Sequence, residues 1–591
     1  MRDIVTESLA SKPRFALEYR LESAVYWAER VAASRALVVA IFTVLFVVPT
    51  VFLCRFKLFW DDEFFTLYLA RTSDWKALLQ ALATGADQHP PSFYYLTHWI
   101  IGILGTGHVT LRLTAVFGFW LMCVCLYEIV RSLTTPMWGI VGMLFPLTTN
   151  LYYYATEARG YGLVTGFAAL ALLCWLKATS YRRRRIYLPL LAFSLAAAVA
   201  SHYYAAAVVI CLAFGEFART ISRRKVDWPI WIAFVFTGLP VILFFRTLQS
   251  ARGYSSHFWA FPAWSDALFF YPSELTLGPV ALLGTLGAAV AFGLAVGVDK
   301  EARADGVDRQ PALNFWQAIS ICFLTALPIL VMFVAKFVTH GFTARYAISA
   351  LVGITVLLSY LLYRITPQTK AAGTAAVICF MLFAMQVYLF GTKFRDQRES
   401  MATDLRVLST TGDQQIAVVH ITVFHQLSFY APRQIATRIN YVSDPELAIK
   451  YMGHDTIDRG LMDLNPWFPL KVVPAQSFLQ DNREFLVYGN ITAWSWLTFD
   501  LPKWGETRLV ERNGQRVLFS VKNVQRTAEV SAMTKHQRDA ATQMLYLTTP
   551  QTGPALCRVY MGQNSCPYND VMFKAPKCSG DCNAFRLGHS Q

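Results

Sequence analysis

The sequence predicts a mainly α-helical membrane protein. It reads as a polytopic bundle of about eleven transmembrane helices, with interfacial helices in the first outer loop and a small C-terminal α/β domain outside the membrane. Three observations lead there. Of 591 residues, 55% are hydrophobic and 15% charged, with a mean hydropathy of +0.37, whereas a soluble chain carries about 25% charged residues. Apolar runs long enough to span recur up to residue 390 and alternate with basic loops. After residue 391 these runs stop and short strand patterns begin. The formal net charge of +15 fits Lys and Arg collected in cytoplasmic loops. With no basic stripe on a soluble stretch, nucleic acid is excluded as a partner.

Residues 1–35 are mixed in polarity, carry Arg2, Lys12, Arg14, Arg20 and Arg30, and place Leu17, Leu21, Ala24 and Val25 at helical spacing. They read as an amphipathic segment on the cytoplasmic surface and not as a cleaved signal. The transmembrane domain is expected over 36–390. Its apolar segments are 36–54, 111–130, 136–153, 161–177, 186–202, 203–218, 229–245, 272–297, 314–334, 346–362 and 371–390. The clusters Arg182–Arg185, Arg219–Lys225 and Lys300–Arg309 then all fall inside, and the unusual polar motifs outside. In the first outer loop, Asp62–Leu82 has an amphipathic helix pattern suited to the interface, and Ser92–Leu104 is a second short apolar piece. An α/β domain is expected over 391–525, with strands at 415–419, 435–442 and 483–488 and a hairpin around Asn513-Gly514.

Seven cysteines (Cys54, Cys123, Cys125, Cys174, Cys211, Cys322 and Cys379) lie in or beside apolar segments and read as packing residues. Cys557, Cys566, Cys578 and Cys582 cluster in an irregular tail over 526–591. An even set in a short loop-rich segment reads as two disulfides of unspecified pairing, with zinc as the rival.

The polar motifs carry the chemistry. Trp60-Asp61-Asp62-Glu63 follows closely on the first span. Three carboxylates are too costly for hydrocarbon, so they mark the exit from the bilayer. An Asp at the N-cap with acids in the first turn suits any helix beginning here, and the same acids suit a base held at a membrane surface. Asp87-Gln88-His89-Pro90-Pro91 forces an extended turn before a helix. Glu157-Ala158-Arg159-Gly160-Tyr161 reads either as a surface ion pair or as a phosphate-binding guanidinium. His202-Tyr203-Tyr204 sits at an outer tip, where an aromatic-flanked histidine serves as interface anchor or as a functional group. Lys336, His340, Arg345 and Tyr346, with Arg246, Arg252 and His257, place basic residues on the side where few are expected. Anionic head groups or snorkelling anchors would account for them. No metal set of clear spacing and no Gly-rich phosphate loop appears; the sequence leaves a divalent-metal requirement open.

Asp62-Glu63 after the first span, His89-Pro90-Pro91, Tyr94-Tyr95-Leu96, Arg112-Leu113 and Arg345-Tyr346 together resemble the C-type integral-membrane glycosyltransferases. The nearest branches are the bacterial aminoarabinose and galacturonic-acid transferases and the protein O-mannosyltransferases. The resemblance spans about 1–390 and is specific over 55–165. It implies Asp62 as general base, with Glu63 beside it and Glu157 as a second acid. It implies Asp61, His89, Arg159, Tyr161, His202, Arg246, Arg252, Lys336, Arg345 and Tyr346 as donor-phosphate or substrate-binding candidates. The first two branches usually have Lys where this chain has His89. The implied reaction moves a sugar from a polyprenyl phosphate to a lipid, glycan or protein hydroxyl on the outer face of a bacterial inner membrane, with inversion and no nucleotide. The N-terminus would be cytoplasmic and the C-terminal domain periplasmic. A transporter or flippase of a lipid-linked glycan is the alternative; it would more often show mid-membrane charges and inverted repeats.

Overall fold

Ala36–Leu53 carries no charge, so its backbone polar groups must be satisfied internally. In the computed structural model of the chain this run is helix α1 (Arg35–Phe56). The structure describes residues 29–181, 183–275, 313–490 and 495–523. The tail cysteines, most of the N-terminal amphipathic segment and most of the eighth apolar segment lie outside these residues. In chain order there follow α2 (Asp61–Ala70), α3 (Trp75–Leu82), α4 (Pro91–Leu104), α5 (Leu113–Leu133), α6 (Tyr161–Thr179), α7 (Arg184–Ser201) and α8 (Ala206–Arg223). Next come α9 (Phe315–Thr325), α10 (Leu327–Val334), α11 (Ala350–Ile365) and α12 (Thr369–Ser409). The described chain forms two compact units: residues to Lys57, His89–Phe245 and Trp264–Gln397 in one, and Leu58–Gln88, Arg246–Ala263 and residues from Arg398 onward in the other.

The first unit is the bundle. Among the described residues, six helices are long and apolar enough to cross a membrane, or up to eight if each of two bent helix pairs is one span. The described residues, which leave out most of the eighth segment, therefore do not establish the expected eleven. Proline is one reason: Pro328 at the start of α10 accompanies a 60° bend between α9 and the helical stretch Leu327–Thr339, and Pro146 sits in a 3-10 turn that shortens the third segment to Pro136–Thr148. The spans are still multiple, and the protein is a multi-pass membrane protein. Small residues let the central helices meet. A Cβ on Gly118 of α5 would lie 2.3 Å from the backbone of Gly162, and one on Gly166 would lie 2.3 Å from the Gly118 carbonyl oxygen. This is the close backbone approach that small residues four apart permit. Arg112, fully buried, donates from Nη1 to the carbonyls of Cys54 (2.6 Å) and Lys57 (3.0 Å) and so serves carbonyls at the end of α1. Six of the seven span cysteines are buried as expected, whereas Cys322 is exposed, because it lies on a face of α9 that the bundle does not cover.

The second unit corrects three expectations. Asp62–Leu82 is not one interfacial helix but two, α2 and α3, broken at Arg71–Asp74 because the Asp74 side chain caps α3 through Ala77 N–H (2.8 Å). The apolar face of α2, including Phe64, Leu67 and Leu69, is buried in this unit. The N-cap of α2 is Trp60, not an Asp, so the acids occupy the first turn, where the helix dipole favours them.

The rest of the unit is a six-stranded sheet: β1 (Ile416–Val418), β2 (Ile439–Ser443), β3 (Val472–Pro474), β4 (Glu484–Asn490), β5 (Gly505–Asn513) and β6 (Arg516–Asn523), in the order β3-β2-β1-β4-β6-β5. β1 to β4 are mutually parallel, and β6 and β5 add antiparallel. Helices α13 (Ile421–Tyr430) and α14 (Thr456–Leu464) belong to the crossovers. Ile416, Val418, Leu486 and Tyr488 enter one core and Ala417, Phe485 and Val487 the other, the alternation that a pleated strand covered on both faces requires. The hairpin turns at Gly514, with φ +56°. The strand expected from Ile435 starts only at Ile439, because Arg433–Ala436 is a helical turn after Pro432.

Asp458 of α14 is buried and accepts from Trp496 Nε1 (2.8 Å) and Asp444 N–H (3.1 Å). Burial pushes its carboxyl up to about 6, against the lowering effect of those hydrogen bonds. A folded value above the unfolded one means that the fold holds the proton more tightly, so this group's contribution falls as pH rises from about 4 to 6. Asp458→Asn should therefore gain stability relative to the parent over that window, by at most about 2–3 kcal/mol. Unfolding midpoints of both proteins at pH 4.5 and 7.5 check it, and an unchanged difference would refute it.

Candidate active site

The first unit brings together residues from four separate segments. Pro90 and Pro91 start α4 and leave His89 buried just before it. The 3-10 turn Asn150–Thr156 gives way to extended Glu157, and Arg159 N–H donates back to the Glu157 carbonyl at 2.7 Å, a three-residue turn. Gly160 follows because the chain touches α7 here: a Cβ would lie 2.6 Å from Ser201 O. His202 ends α7, and its Nδ1 accepts from Tyr204 N–H at 3.2 Å, which leaves the proton of the neutral ring on Nε2. Arg345 and Tyr346 sit in a 3-10 turn ahead of α11.

These side chains form one ring cluster. His89 and His202 meet at 4.7 Å, edge to face. Tyr161 lies 5.7 Å from His89 and 5.4 Å from His202. Tyr346 lies 5.2 Å from His202 and stacks on Tyr204 at 4.6 Å. The Arg345 guanidinium is 5.7 Å from the Tyr161 ring, within cation–π range. Arg159 Nη1 donates to Tyr94 Oη at 3.0 Å. Glu157 and Arg159 are both buried, which rules out a surface ion pair, and the burial of His202 likewise rules out an exposed tip anchor. Two guanidinium forks and two imidazoles among aromatic faces suit an anion such as a phosphate.

Lys336 is half-buried and His340 exposed. Arg246 and Arg252 are exposed residues of the second unit and belong to no cluster of the bundle. The second unit also holds the acids. Glu63 is buried, whereas Asp61 and Asp62 are half-buried. Asp61 Oδ2 accepts from Thr422 Oγ1 at 2.8 Å, and its Oδ1 lies 3.6 Å from His425 Nδ1. Among the described residues, no group of three His, Cys, Asp or Glu side chains could hold a metal ion.

Sequence reasoning missed Lys57, Thr422 and His425. Lys57 is buried; its Nζ donates to Thr156 O at 3.0 Å and lies 4.0 Å from the Tyr153 ring centroid. A lysine just past the end of an outward span was a usable signal. Thr422 and His425 lie far along the chain and gave none.

The sequence profile of the dolichyl-phosphate-mannose-protein mannosyltransferases matches residues 88–245, a stretch that contains His89, Glu157, Arg159, Tyr161 and His202. Among curated proteins no sequence match is found. Solved structures similar in fold include two of ArnT from Cupriavidus metallidurans. The apo state aligns at 12% identity over 84% of this chain and 98% of that one, with a TM-score of 0.53. The form bound to undecaprenyl phosphate aligns at 12% identity over 83% and 98%, with a TM-score of 0.50. By profile over 88–245 and by fold over most of its length, the chain resembles the C-type, polyprenyl-phosphate-dependent integral-membrane glycosyltransferases.

Proposed function

We propose that this protein transfers a sugar from a polyprenyl phosphate to a hydroxyl of a lipid, glycan or protein on the outer face of the membrane, with inversion. The observation that carries the reading is the convergence of His89, Tyr161, His202, Arg345 and Tyr346 within the bundle, mostly inside the stretch that matches the mannosyltransferase profile. In this reading Asp62 takes the acceptor proton as the oxygen attacks the anomeric carbon. Glu63 and Asp61 keep the first turn of α2 acidic, and Glu157 is the second acid. Arg345 and Arg159 hold the departing lipid phosphate through forked, charge-assisted hydrogen bonds. Lys336, Arg246 and Arg252 supply further positive charge toward anionic head groups. The N-terminus is cytoplasmic, and the sheet unit faces outward. The co-structure of ArnT with undecaprenyl phosphate supports a lipid-phosphate carrier.

The test is mass spectrometry of lipid and glycan extracts from cells with and without the gene, the latter complemented by the parent chain or by Asp62→Asn. A sugar-bearing product lost on deletion and restored by the parent alone is expected. Identical extracts would sink the proposal.

Arg345→Ala should differ in kind from Asp62→Asn. Losing a charged donor to a phosphate is worth about 1.5–3 kcal/mol, so binding of undecaprenyl phosphate to the purified protein should weaken by roughly 10- to 100-fold. Equal affinity of variant and parent in a native mass-spectrometry titration would reassign Arg345 to anchoring.

A further inference from the structure

His425 of α13 has no exposed surface. It is walled by the rings of Phe64 (5.2 Å), Phe65 (5.9 Å), Tyr68 (6.4 Å) and Phe424 (5.6 Å). Neither ring nitrogen makes a hydrogen bond. An imidazole so enclosed is costly, and a phenylalanine would fill the same box at less cost. What faces it is Asp61: Oδ1 lies 3.6 Å from Nδ1, while Oδ2 accepts from Thr422 Oγ1 one turn earlier on the same helix. Two residues of α13, three apart and so on one face, therefore address the two oxygens of one carboxylate. That carboxylate opens α2, and Asp62 is the next residue. Thr422 holds one oxygen of Asp61, and a hydrogen bond from His425 to the other would fix the rotation of the first turn and thus the direction in which Asp62 points.

We infer that His425 is a positioning residue for the acids of the α2 first turn, acting through Asp61. The inference rests on the reading of Asp62 as the base. A 3.6 Å approach closes to a hydrogen bond with a small shift, and the imidazole donates from Nδ1 to Oδ1. Thr422 supplies the other half of the clamp.

The test uses the full-length protein reconstituted in vesicles of the native membrane lipids, which carry the polyprenyl-phosphate sugars. His425→Phe keeps the ring box and removes the donor. It should lower kcat by roughly 10- to 100-fold, the scale of a small misplacement, with KM and unfolding midpoint unchanged. His425→Asn, whose amide nitrogen replaces Nδ1, should recover most of the loss. In an Asp61→Asn background His425→Phe should add nothing further. Full turnover by His425→Phe would overturn the inference. So would a loss that adds in full to that of Asp61→Asn, or one that tracks a lowered midpoint without recovery in the Asn variant. A second readout needs no turnover: carbodiimide labelling of Asp61, quantified by peptide mass spectrometry, should rise severalfold in His425→Phe, and unchanged labelling overturns the contact itself. Normal turnover by Asp62→Asn together with raised Asp61 labelling would sink the base assignment separately.

Discussion

Asp62→Asn is expected to insert and fold as the parent does and to lower transfer by roughly 10²–10⁴-fold, the usual worth of a general base. The amide is close to the carboxylate in shape, and Asp62 is half-buried at the second position of α2, so little packing changes. In the proposed mechanism the variant loses the capacity to accept the acceptor's proton. Asp61→Asn and Glu63→Gln should cost less, and Glu157→Gln an intermediate amount. The comparison is made by product formation at matched protein levels in purified membranes. Asp61→Asn inactive with Asp62→Asn near normal would move the base by one residue, and full activity in all four variants would remove the chemical basis of the transferase reading.

The largest structural effect is expected at the basic end of the bundle. Arg219 is buried and pairs through Nη1 with Glu216 (2.7 Å) and Asp227 (3.1 Å). Trp175 Nε1 donates to the second oxygen of Glu216 at 3.0 Å, and Arg184 pairs with Asp227. Arg219→Met would strand a fully buried carboxylate on α8 and weaken the hold on Asp227. Removing one partner of a buried pair costs about 3–5 kcal/mol, which should appear as a clearly lower unfolding midpoint in detergent. Adding Glu216→Gln to Arg219→Met should return part of the loss, because the stranded charge is then gone. A single variant as stable as the parent would show that the network contributes nothing net.

Much of this architecture is legible in the chain because its signals are local. A charge-free run such as Ala36–Leu53 has no low-energy state in hydrocarbon other than a helix. The continuous apolar runs within Gln415–Val419 and Arg483–Tyr488 specify strands covered on both faces, and Asn513-Gly514 marks the hairpin. Residue type and spacing likewise singled out His89, Glu157, Arg159, Tyr161, His202, Arg345 and Tyr346. The sequence by itself thus determined which segments are apolar, which are strands and which polar groups are out of place. Only the tertiary structure decided that His89 and His202 touch, that Glu157 and Arg159 are buried, and that α2 packs against α13. It also decided where bends shorten the spans. The physical reason is that hydropathy and turn chemistry act over a few residues, whereas partner choice depends on close packing between surfaces distant in sequence. The glycine contacts of α5 with α6 and the aromatic box around His425 are of that second kind.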